Sequence, residues 1–287
     1  MPPVSRRKLR TGASIVLGLV VAVLLVVLAA SPRHRAFYLG ELGARGENPG
    51  AAGGGSATEP STPRTSRFAR ARTTVRVTVP TPDAEGRVRI PVADVVPATL
   101  PADGVPAGWD LKELSGKSDV ELVRADGRLA LHLRSENSAF VLYRDVIVDP
   151  AVQSQLTWSW KVTSVPVNGD ARDPSRNDQA VGIYVVFPRW PSPLSASEVL
   201  GYVRDSTAPV GTVVALRQAP NVRLLVVESG RDSLGEWRRH ERNVVEDYTA
   251  VFGTPPRRVG KLAIMSDADQ TRGIGEALVA DVRFSRP

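Results

Sequence analysis

Leu156-Thr157-Trp158-Ser159-Trp160-Lys161-Val162 is the stretch on which the fold turns. Its large apolar residues recur at every second position. Leu156, Trp158, Trp160 and Val162 therefore share one face of an extended chain, and Thr157, Ser159 and Lys161 share the other. Aromatic faces of this kind can stack on sugar rings, but the Leu and Val beside the two indoles mark a strand turned toward a core.

Working outward, similar short runs recur along the chain at 88–90, 129–133, 139–143, 181–187, 213–216, 222–227, 263–265 and 278–284, with an alternating stretch at 75–79. Turn signals such as Asp126-Gly127 and Asn168-Gly169 stand between them. Many short strands without intervening amphipathic helices predict a mostly β fold, an antiparallel β-sandwich or jelly roll, over residues 74–287. One helix is legible. Asn243 with Glu246 three residues on reads as an N-cap and its partner; Val244, Tyr248 and Val251/Phe252 share a face; Gly253 and Pro255-Pro256 end it. The spacing predicts a short helix over 244–252 lying on the sheet.

The first 73 residues differ in kind. Arg6, Arg7, Lys8 and Arg10 precede an apolar run at 13–30 broken only by Ser14 and Gly18. Eighteen helical residues rise about 27 Å, close to the roughly 30 Å hydrocarbon core. Val27-Leu28-Ala29 leaves a signal-cleavage pattern open, but the length of the run and the arginines at 33 and 35 favour an uncleaved anchor. The basic flank predicts an inside N-terminus, so residues 1–30 read as a basic start and a single transmembrane helix, with the C-terminal domain extracytoplasmic. Residues 31–73, rich in Gly, Ala, Pro, Ser and Thr, read as a flexible linker.

Charge follows the same division. The chain carries +7 overall, but residues 1–74 hold 11 of its 37 Lys/Arg and 3 of its 30 Asp/Glu, leaving 26 basic and 27 acidic residues beyond them. A near-neutral domain argues against nucleic acid as a partner. With no cysteine, disulfides, thiol catalysis and zinc–thiolate sites are excluded, and none of the three histidines is spaced with another as a metal pair. No phosphate loop, dinucleotide fingerprint or serine-hydrolase elbow is present: Val227-Glu228-Ser229-Gly230-Arg231 lacks the elbow's first glycine.

Acidic positions carry the remaining chemistry. Asp267 and Asp269 follow a strand, and Asp178 precedes another. They read as oxygen ligands for a cation, with calcium the candidate although no local segment supplies its six to eight oxygens, or else Asp267 and Asp269 organise a turn by accepting from backbone amides. The loop is no EF-hand, since Arg272 and Leu278 stand where Gly and Glu are needed. Trp109, Trp190 and Trp237 lie near turns and proline-rich stretches, where an exposed aromatic is expected; Trp190 and Trp237 are the candidates for ligand contact.

In order and spacing, several strings resemble the bacterial family known as domain of unknown function 3047. They are 156–162, Asn177-Asp178-Gln179-Ala180 leading into 182–187, Leu200-Gly201-Tyr202-Val203, Glu228-Ser229-Gly230, Glu246-Asp247-Tyr248 and 263–271. The resemblance covers about residues 87–287 and implies an exported β-sandwich similar in architecture to jelly-roll carbohydrate-binding modules, with no assigned activity. It adds Tyr202 and Arg204 as candidate ligand contacts, Arg204 standing where the family commonly has an aromatic residue. Asn177 replaces an Asp of the family pattern, and Gln270 an Asn. The expectation is a non-catalytic module for a glycan or another envelope ligand. The alternatives are a structural envelope protein acting through protein contacts and an unrecognised glycan hydrolase.

Overall fold

The computed structural model describes residues 79–189, 197–217 and 219–287. The anchor at 13–30, the linker at 31–73, most of the stretch 75–79 and Trp190 lie outside the described residues. Among the described residues no helix is long and apolar enough to cross a membrane.

In chain order the strands are β1 Val88–Arg89, β2 Ala102–Asp103, β3 Asp110–Ser115, β4 Asp119–Ala125, β5 Arg128–Glu136, β6 Ala139–Val148 and β7 Gln155–Ser164. Then come β8 Gln179–Phe187, β9 Glu198–Asp205, β10 Val213–Ala215, β11 Val222–Ser229 and β12 Trp237–Asn243. Helix α1, Val244–Phe252, leads to β13 Val259–Asp267 and β14 Ile274–Ser285. They form two sheets: β12-β7-β14-β5-β4-β2 with β1 also on β14, and β10-β11-β9-β8-β13-β6-β3. The expected sandwich of short strands is present. It is not antiparallel throughout, because β11 runs parallel to β9. Short β10 lies in the connection between them and pairs antiparallel on the far edge of β11, so the chain re-enters the sheet in the direction it left.

Between the sheets lies one apolar layer. Leu156, Trp158, Trp160 and Val162 of β7 all point into it, and the two indoles meet edge to face at 5.5 Å. Trp109 joins the same layer and donates its indole N–H to the Pro91 carbonyl at 3.1 Å. The second sheet is apolar on its outer face too: Val141, Tyr143, Tyr184, Val186, Val203, Leu224 and Met265 form a smaller cluster there. Glycine makes one packing feature of that face. A Cβ at Gly182 or at Gly201, in adjacent strands, would sit 2.7 Å from the Tyr184 ring, so the phenol lies flat across two positions that must be bare.

Helix α1 is capped as its sequence predicts. Asn243 accepts from the amides of Val245 and Glu246 at 3.1 and 3.3 Å, and its own side-chain amide donates to Glu246 at 2.7 Å. Glu246 thus grips the cap's side chain, and the next amide, that of Val244, continues the β12–β7 ladder by donating to the Ser154 carbonyl at 2.8 Å. Gly253 closes the helix at φ 79°.

Candidate functional site

Pairing between β8 and β13 assembles the acidic cluster. Asp267 ends β13 opposite Gln179, the first residue of β8, so Asp178 arrives beside it from the preceding loop. Asp269 follows in the turn after β13. One carboxylate oxygen of each lies within 4.8 Å of the other two. Asp178 and Asp267 are buried, at 0% and 2% exposure, and Asp269 is partly buried. Asp178 also organises the loop: its oxygens accept from the Gln270 amide at 3.1 Å and from the Thr271 amide and hydroxyl at 2.7 and 2.6 Å. The turn-organising role expected of Asp267 and Asp269 falls mainly to Asp178, since Asp267 accepts only from the Asp269 amide at 3.5 Å.

The electrostatics separate the two roles. Burial pushes the Asp267 carboxyl well above its usual range, and the carboxylates of Asp178 and Asp269 push it further. Asp269 is raised as well, by burial first and then by Asp178, although a hydrogen bond from Ser115 opposes the shift. No Lys, Arg or His forms an ion pair with any of the three among the described residues. Among the described residues the buried oxygens Asn177 Oδ1, Asp269 Oδ1 and Gln270 Oε1 have no hydrogen-bond partner, and Asn177 and Gln270 are the chain neighbours of Asp178 and Asp269. Carboxylate and amide oxygens without imidazole or thiolate suit a hard cation. Calcium binds its oxygens at about 2.3–2.6 Å, so ligands across one ion stand no more than roughly 5 Å apart. The 4.8 Å spread of the trio meets that limit.

The expected ligand contacts fare differently. Tyr202 and Arg204, expected at a binding surface, are both buried at 0% exposure, because the inward positions of β9 serve the core. The Tyr202 ring packs on Trp158 at 5.3 Å and its hydroxyl donates to Asp247 at 3.0 Å. Arg204 donates to Glu228, to Ser233 at 2.8 Å and to the Gly230 carbonyl at 2.8 Å. Glu228 receives in addition the Trp160 indole N–H at 2.7 Å and lies 3.2 Å from His240. Burial alone would raise Glu228, but hydrogen bonds from His240, Ser233 and Trp160 and the Arg204 charge outweigh it and hold the carboxyl at about 2. Trp237 is partly exposed on the opposite sheet; its N–H donates to Asp126 at 2.9 Å and Arg128 stacks 5.0 Å from its ring centroid. None of these residues meets the acidic trio.

Sequence reasoning named the three aspartates and missed the orphan oxygens of Asn177 and Gln270. It also missed His132 on the solvent face, whose ring nitrogens lie 3.0 Å from Glu121 and 2.8 Å from Glu276.

The family model described as "Protein of unknown function (DUF3047)" matches residues 107–283. No curated protein matches. Among solved structures, the chain is similar to a family 11 carbohydrate-binding module of a Clostridium thermocellum cellulosomal cellulase, at 9% identity and TM-score 0.37 over 71% of this chain and 97% of that one. It is similar to the endoglucanase Cel12A of Rhodothermus marinus at 11% identity and TM-score 0.38, over 66% and 99% of the two chains. A family 11 xylanase from Neocallimastix patriciarum gives 11% and 0.33, over 68% and 96%. At that degree of likeness none of their ligands or reactions is carried over.

Proposed function

The chain belongs to the DUF3047 family, and we propose that its sandwich is a non-catalytic envelope-binding module whose loop end is built around a divalent cation, calcium by preference. The observation that carries this reading is the convergence of Asp178, Asp267 and Asp269 in the interior with no cationic partner among the described residues. Three converging carboxylates, two of them buried, repel one another and lose hydration, a combination that proteins tolerate when a cation or protons balance it. The anchor at 13–30 and the linker after it hold the module outside the cytoplasm, within roughly 35 Å of the membrane for about 44 residues of coil. The ligand class is a glycan or a similar envelope component.

A glycan hydrolase is disfavoured by the same geometry. Its two carboxyls flank an open substrate cleft, whereas two of these three residues are buried. A structural role through protein contacts has one observation of its own: Val95, Val96 and Val105 are 57%, 46% and 41% exposed near the edge strand β2.

The test is thermal melting of the full chain in detergent with millimolar calcium or with chelator. Calcium raises the midpoint by mass action, and the Asp267→Asn/Asp269→Asn double variant loses the difference. Identical wild-type curves with calcium and chelator would leave the aspartates as turn organisers.

A further inference from the structure

We propose that a cleft walled in part by the loop that Asp178 holds binds a sugar unit bearing one carboxylate or phosphate, with Arg231 and Arg272 taking the anionic group. The cleft measures about 340 Å³, at the lower end of small-molecule sites, and fits a sugar-sized unit. Val167 and Ile274, 60% and 36% exposed, give it apolar surface for the carbon face of a ring. Glu136, Asn137 and Ser164 add groups that bond hydroxyls.

The two arginines decide the ligand's charge. Both are exposed, line the cleft from different loops, and form no ion pair among the described residues. Arginine presents a planar fork matched to carboxylate and phosphate oxygens. Glu136 is the acidic residue in the lining and is tied to Arg134 at 2.7 Å; its charge admits a single anionic group and disfavours a dense polyanion.

The backbone supports the assignment. Arg272 has φ 54° and Asn137 has φ 48°, the left-handed region that costs an L-residue such as Arg energy. The two turns are joined by a hydrogen bond from the Asn137 amide to the Gly273 carbonyl at 3.2 Å. Asp178 holds the residues just before Arg272 through the Gln270 and Thr271 amides, so the loop is pinned from the interior. Strain of this sort persists where the surroundings impose it, and here it sets an arginine at a cleft. The proposal rests on the cation reading in one respect only: the trio fixes the loop that carries Arg272.

Equilibrium binding of galacturonate, neutral galactose and glucose 6-phosphate to the full chain in detergent tests it, with calcium and with chelator. Galacturonate or glucose 6-phosphate binds at least about tenfold more tightly than galactose, and whichever does so identifies the anionic group. Arg231→Gln and Arg272→Gly each weaken that binding roughly tenfold, the scale of one lost charge-assisted contact. Glycine is at ease at this φ, so Arg272→Gly melts no lower than the wild type and its loss of binding is not a loss of fold. Equal affinity for the neutral sugar, or unchanged affinity in both variants, overturns the proposal. Arginine-dependent binding that is indifferent to calcium upholds the cleft and counts against the cation. Calcium binding without any anion preference does the reverse.

Discussion

Two of the buried carboxylate groups among the described residues, one around Glu228 and one around Asp267, are balanced in opposite ways. Around Glu228 the account is closed from within: Arg204, Trp160, Ser233 and His240 surround one carboxyl and hold it at about 2. Around Asp267 three carboxyls converge with no cation of the protein's own among the described residues, and burial drives Asp267 upward. The residue type and the depth are alike; the partners differ. A buried charge that a protein neutralises itself is architecture, and here it ties β9, β11 and β12 to the tryptophans of β7. Carboxylates left unbalanced beside orphan oxygens are a demand for something from solution.

The sharpest way to break this comparison is Glu228→Ala. It leaves the fully buried Arg204 without its carboxylate and is expected to cost about 3–5 kcal/mol in urea unfolding. A loss under about 1 kcal/mol would mean the network is not closed as described. Removing a carboxylate from the trio should act in the other direction. In chelator, Asp267→Asn is expected to unfold at a higher urea concentration than the wild type, because it removes a buried carboxyl that desolvation and its two neighbours disfavour in the charged form. In calcium the same variant should be less stable than the wild type, and equal rank in both media would erase the contrast. A neutral contact calibrates both: Asn243→Ala should cost about 0.5–2 kcal/mol regardless of calcium, read from the same urea curves.

His132 is an intermediate case and the smallest effect. Burial alone would lower its pKa, but hydrogen bonds to Glu121 and Glu276 outweigh it and raise it above 6.5. Its contribution is therefore fully present below about pH 6.5 and is lost as pH rises through the folded-state value. His132→Gln should cost about 0.5 kcal/mol at pH 6 and nearly nothing at pH 9, given partial exposure. A deficit that grows with pH would reverse the sign and refute the pairing.

How much of this was legible in the sequence varies with the physics involved. Helix α1 was readable to its ends because the cap, the periodicity and the stop at Gly253 and Pro255-Pro256 all agree. β7 was readable because two tryptophans on one face outweigh everything around them. β12, Trp-Arg-Arg-His-Glu-Arg-Asn, was not read as a strand: its charges face solvent and its order comes from the ladder to β7, which leaves no apolar pattern. The parallel β9–β11 pair was hidden for a similar reason, since direction depends on where the 206–221 connection crosses. Asp178, Asp267 and Asp269 could be named as acidic positions flanking strands, but only the Gln179–Asp267 register brings them together. Tyr202 and Arg204 were assigned to a surface through the family pattern, while the alternation of β9 turns both inward.

Calorimetric titration of calcium into the chelator-stripped full chain tests the central claim most directly. The account predicts saturable binding of one ion per chain, lost in Asp267→Asn and retained in Glu228→Gln at a temperature where that variant is folded. No binding in the wild type, or binding that survives Asp267→Asn unchanged, would contradict it.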